Sequence, residues 1–102
     1  MMRKEFNITS CLNDEKLTPV IIDSHFLKNH SDMNYETIIS LVRKLEGKFI
    51  VPEKTDGEWT YYRIEPIYFE LNPYRLILVT KEGYSFLGVV NAFRVSRKRY
   101  NE

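Results

Sequence analysis

Apolar positions recur along this chain with two different periods, and the change from one to the other falls near Gly47. Before it, Ile38, Leu41, Val42 and Leu45 return at three- and four-residue spacing, the stripe of an amphipathic helix. Asn34 is a good N-cap, Met33 and Ile38 occupy the two positions of a hydrophobic staple, and Glu36 suits the positive helix end. Gly47 is the expected stop, so the pattern predicts a helix over about residues 35–46. Upstream, Asp23 or Ser24 can cap a shorter helix running through His30. The run LTPVII before it reads as extended, and Pro19 restricts it to a strand start or a sheet edge.

After Gly47 the pattern is that of strands. Lys48–Val51, Trp59–Phe69, Tyr74–Thr80 and Tyr84–Val95 are β-rich. They are separated by turn signals at Asp56-Gly57, Leu71-Asn72-Pro73 and Lys81-Glu82-Gly83. Short connections between neighbouring strands imply an antiparallel meander. The expected fold is therefore α+β, with two N-terminal helices packed on a four-stranded antiparallel sheet. Residues 1–18 mix charge, Asn and Ser with few apolar positions and read as an N-terminal arm, either frayed or a short element packed on the edge of the domain, leaving 19–102 as a single domain.

Alternation divides each strand between two faces. Leu76, Leu78, Leu87, Val89, Phe93 and Val95 form the better surface for the helix stripe, and Asn91 falls on that side as well. The opposite face then carries Tyr61, Arg63, Glu65, Arg75, Phe86 and Arg94 around the small residues Gly88 and Ala92. Arginines beside rings over a floor of small residues can hold a phosphate backbone and a stacked base. The plainer alternative is a solvated sheet face with Arg–Glu pairs, such as Arg63 with Glu65.

Composition narrows the chemistry. At 102 residues with 43% hydrophobic positions, the chain can build a core without disulfides or metal. The net charge of +1 is not the strongly basic balance of a general nucleic-acid binder, although Arg94, Arg97, Lys98 and Arg99 gather at the C-terminal end. The RKR run at 97–99 is most simply a solvated tail. Cys11 stands alone, so no intrachain disulfide forms, which fits a reducing compartment. The polar start has no apolar signal segment and no run reaches the roughly 20 residues that span a bilayer, so a cytoplasmic protein with no membrane partner is expected. One Cys and two His make a structural zinc site improbable, and no metal or cofactor is expected. His25 and His30 are five positions apart, about 140° around a helix, which is not the spacing of a shared metal. Either imidazole can still act as a general base, because histidine titrates near neutrality. No nucleophile elbow, phosphate-cradling glycine loop or paired-carboxylate motif is present.

The order of these signals resembles the small ribonuclease toxins of the barnase/EndoU/RelE-like superfamily, of the kind found in bacterial polymorphic-toxin and toxin–antitoxin systems. The segments that carry the likeness are Ser24-His25-Phe26, His30, the helix after Asn34, Pro73-Tyr74-Arg75-Leu76 and Val89-Val90-Asn91-Ala92-Phe93-Arg94, and the pattern they mark runs from Ile22 to Val95, about three quarters of the chain. The resemblance implies a metal-independent endoribonuclease in which the RNA 2′-hydroxyl attacks the adjacent phosphate. In that scheme His25 or His30 is the acid or base, and Arg75 and Arg94 hold the phosphate. Arg63, Tyr61, Phe86 and Asn91 would contact the RNA. The implied partners are tRNA or mRNA and a cognate antitoxin or immunity protein. The competing expectation is a non-catalytic protein- or RNA-binding module of the same fold, using the aromatic–arginine face or a free strand edge.

Overall fold

The computed structural model describes residues 3–29 and 33–96. Eight strands and one α-helix follow in the order β1 (Arg3–Phe6), β2 (Ser10–Leu12), β3 (Glu15–Leu17), β4 (Val20–Asp23), a 3₁₀ helix (Ser24–Asn29), α1 (Tyr35–Arg43), β5 (Lys54–Asp56), β6 (Trp59–Phe69), β7 (Asn72–Lys81) and β8 (Leu87–Arg94). Six of the strands form one mixed sheet in the order β1-β4-β8-β7-β6-β5, and β2 and β3 make a separate hairpin.

This corrects the expected fold of two helices on a four-stranded antiparallel meander. Among the described residues there is one α-helix, and the sheet is wider because the front of the chain joins it. β4 enters beside β8 and runs parallel to it, with Val20 opposite Leu87 and Ile22 opposite Val89. Its apolar run suits a strand covered by neighbours on both sides, as parallel strands usually are. Pro19 sits just ahead of the strand, where no ladder N–H is needed. Three hydrogen bonds fix the entry: Thr18 N–H to the Ser85 carbonyl (2.7 Å), Ser85 Oγ to the Thr18 carbonyl (3.0 Å) and Leu87 N–H to the Pro19 carbonyl (3.0 Å). The residues expected to form an arm thus supply β1, which pairs antiparallel with β4, and the β2–β3 hairpin.

The helix forms as its sequence predicts, three residues shorter. The Asn34 side-chain oxygen accepts from the Thr37 N–H at 2.8 Å, and Met33 and Ile38 are both buried. Ile38, Leu41 and Val42 on the helix, with Leu45 just past it, pack onto Val20, Ile22, Leu76, Leu78, Leu87 and Val89. Each such side chain withdrawn from water stabilises the fold by about 1.5–3 kcal/mol before entropy is counted. Leu12 and Leu17 of the hairpin close the same core.

Lys48–Val51, expected as a strand, is an irregular stretch. It is held by Asn13, whose side chain donates to the Ile50 carbonyl at 2.8 Å and accepts from the Ile50 N–H at 2.7 Å. Both backbone groups of Ile50 are satisfied by one amide, so this segment needs no strand partner. Phe49 and Val51 on either side stay exposed.

The division of the last strand between faces also needs correction. Leu76 lies opposite Ala92 and Leu78 opposite Val89, so β8 spans three steps where β7 spans two. The extra residue is a β-bulge at Val90, and it reverses the alternation beyond it. Ala92 and Arg94 therefore belong to the helix side, while Asn91 and Phe93 turn to the open side. A similar irregularity between Ile64 and Ile67 keeps both of those residues on the core side of β6.

Candidate binding face

One face of the sheet is covered by α1 and the hairpin; the other is open. Register assigns Arg3 and Glu5 of β1, Ile21 and Asp23 of β4, and Gly88 of β8 to the open face. Arg75, Ile77, Val79 and Lys81 of β7 join them, with Trp59, Tyr61 and Arg63 of β6 and Lys54 and Asp56 of β5.

Aromatic rings and cations are interleaved there. Lys81 Nζ stands 5.1 Å from the Trp59 ring and 4.6 Å from the Tyr84 ring. Lys54 Nζ lies 5.0 Å from the Tyr61 ring, and the Arg75 guanidinium 5.0 Å from the Phe93 ring. Phe86 meets Trp59 edge-on at 6.2 Å and Tyr84 at 6.1 Å. These cation–ring contacts each contribute about 0.5–1 kcal/mol at exposed positions and hold the rings in fixed orientations.

The charges balance. Arg63 pairs with Glu53 at 3.0 Å, and Arg75 pairs with Glu65. Glu5, Asp23 and Asp56 offset Arg3, Lys54 and Lys81 on the same face. Cross-strand Arg–Glu pairing is thus present, but between Arg75 and Glu65 rather than Arg63 and Glu65. A surface of this kind lacks the surplus positive field that tracks a phosphate backbone.

A cavity of about 200 Å³ opens on this face among β1, β4, β8, β7 and the start of β6. Trp59 and Phe86 stand on one side, Arg3 and Asp23 on the other, and Ile21, Val79, Gly88, Val89 and Val90 complete it. A glycine suits position 88 because a Cβ there would lie 2.7 Å from Val79 Cγ1, closer than two carbons pack, so that the side chain or the strand would have to shift.

The residues singled out from the sequence do not all converge. Tyr61, Arg63, Arg75 and Asn91 share the open face, and Phe86 borders the cavity. Asn91 Oδ1 accepts from the Ala92 N–H at 2.9 Å. Arg94 falls on the opposite face, one residue past Phe93, so it and Arg75 do not enclose one phosphate-sized gap. His25 is exposed on the 3₁₀ helix, where its backbone N–H donates to Asp23 Oδ1 at 3.0 Å. His30 and the run 97–99 lie outside the described residues. No metal-binding group of His, Cys, Asp or Glu occurs among the described residues, and no helix among them is long and apolar enough to cross a membrane.

Arg3, Asp23, Trp59, Lys81 and Tyr84 escaped the sequence reading. Trp59 begins a predicted strand, whereas Lys81 was expected in a turn and instead ends β7 as the direct cross-strand partner of Trp59. Arg3 gave no comparable signal, because it lies in the segment read as an arm. No family model, curated protein or solved structure matches the chain.

Proposed function

We propose that this domain is a non-catalytic binding module whose open sheet face docks a protein partner. The observation that carries the reading is the make-up of that face: an apolar, aromatic centre of Ile21, Trp59, Val79, Phe86 and Val90 inside a rim of balanced charge. Aromatic centres with polar rims are the usual anatomy of a protein interface, and rigid Trp and Phe side chains are the common anchors. The ribonuclease reading draws less support. Its two arginines alternate to opposite faces, and Arg75 is already engaged by Glu65.

The test is capture followed by reconstitution. A photo-reactive benzoylphenylalanine at Tyr84, a 59% exposed position beside the anchors, crosslinks the partner in the cells that make the protein. The identified partner, purified, then binds the wild-type chain, and Trp59→Ala weakens the complex at least tenfold. The reading is overturned by cleavage of total RNA in EDTA that His25→Ala abolishes. Purified captured proteins that bind wild type and Trp59→Ala equally would also overturn it.

A further inference from the structure

We infer that the cavity beneath Trp59 and Phe86 is a socket for one large apolar side chain of the partner, with Arg3 and Asp23 receiving that residue's own peptide groups. This rests on the reading of the open face as a protein-binding surface.

Two independent observations carry it. The first is size and lining. At about 200 Å³ the cavity is smaller than the roughly 300–1,000 Å³ that houses a whole small-molecule ligand. It has room for one side chain rather than a nucleotide. Trp59 and Phe86 meet edge-on at 6.2 Å, and Gly88 and Val90 leave an apolar floor.

The second observation is a pair of neighbouring opposite charges that form no ion pair with each other, Asp23 Oδ1 accepting instead from the His25 N–H. Arg3 and Asp23 are direct partners in the β1–β4 register, and both border the cavity. Yet the ion pairs among the described residues are Arg63–Glu53 and Arg75–Glu65, and Arg3 and Asp23 do not close on each other. An extended peptide residue presents its N–H and C=O side by side, with its side chain roughly at right angles to them. Its C=O accepts from the Arg3 guanidinium, its N–H donates to the Asp23 carboxylate, and its side chain drops between the rings. Charge-assisted bonds of this kind are stronger than neutral ones and fix the anchor's direction.

The single tryptophan lines the socket, so its emission reads occupancy directly. The wild-type chain is titrated with N-acetyl-phenylalaninamide, which carries one apolar side chain between two amides. A saturable shift of Trp59 emission is expected, with a midpoint on the order of 1 mM for a ligand of this size. Arg3→Gln and Asp23→Asn should each raise the midpoint about fivefold or more, and Val90→Phe, which adds a ring to the lining and takes up the space, should abolish the shift. Asn at position 23 retains the oxygen that accepts from His25. Amide nitrogen–proton spectra identify variants that keep the native fold, and Arg3→Gln decides the matter if Val90→Phe does not. N-acetyl-glycinamide and uridine are run alongside and should give no shift. Absence of a saturable shift in wild type, equal binding by Arg3→Gln, or tighter binding of uridine overturns the socket. A captured protein partner with no response to the capped amino acid removes the socket alone and leaves the docking face standing.

Discussion

The two faces of this sheet are built from the same strands, yet they obey different rules. On the helix side, Ile22, Leu76, Leu78 and Leu87 have no exposed surface, and their neighbours are aliphatic. On the open side the adjacent positions are Ile21, Arg75, Ile77, Val79 and Gly88, a mixture of aliphatic, charged and small residues of which Ile21, Arg75 and Ile77 are half-buried and Val79 and Gly88 buried. The covered face carries stability. The open face carries an arrangement that burial alone does not require, since a surface meant only for water has no need of Trp59, Phe86 and Val90 around a hollow.

The sharpest way to break this contrast is to truncate neighbours on one strand. Leu76→Ala should cost about 2–5 kcal/mol, because the side chain is fully enclosed and leaves a cavity. Ile77→Ala, one step along and half-buried on the open face, should cost about 1 kcal/mol. Urea unfolding of both variants with unchanged slopes measures the difference, and equal losses would mean that the open face is covered in solution. Next in size is Gly88→Ala. Its new methyl group would sit 2.7 Å from Val79 Cγ1 and 3.7 Å from Phe86 Cε2, so overpacking should destabilise by about 1–3 kcal/mol. Because Val79 and Phe86 border the cavity, the emission of Trp59 should change as well. A loss of stability without an optical change would place the strain elsewhere.

How much of this was legible beforehand depended on whether a signal was local. The helix needed only its stripe and its cap, and Asn34, Ile38, Leu41 and Val42 act as their spacing implies. β6 occupies Trp59–Phe69, the span its β-rich run predicts. The six-stranded sheet was hidden because β4 joins it through a pairing with β8, far along the chain, and β1 joins it only through β4. β1, with the sequence RKEF, has one apolar residue and no periodicity to announce it; charged residues on a short edge strand protect that edge instead. The β2–β3 hairpin did carry a signal in Asn13-Asp14, whose backbone angles φ of 52° and 66° suit the tight turn that Asn and Asp tolerate. The bulge at Val90 could not be seen, since LGVVNAFR alternates acceptably in either phase and only the partner strand decides. That one residue moved Arg94 away from Arg75 and brought Asn91 onto the open face, so the candidate site changed more than the fold did.

The smallest expected effects separate two parts of the open face from each other. Arg75 and Glu65 are largely shielded, with side chains 24% and 10% exposed, and Arg75 also lies over the Phe93 ring. Replacing Arg75 with Gln removes the charge facing a carboxylate that water scarcely reaches, and should destabilise by about 1–3 kcal/mol. Arg63 and Glu53 form the corresponding pair near the sheet edge, but their side chains are 50% and 45% exposed. Solvent screens that attraction and two long side chains must be ordered to make it, so Arg63→Gln should change stability by less than about 0.5 kcal/mol. Unfolding at low and high salt checks the pair: the Arg63→Gln difference should shrink toward zero as salt rises, while the Arg75→Gln difference persists. A large, salt-resistant cost at Arg63 would extend the shielded interior of this face out to β5, and the rim of the docking surface would have to be redrawn.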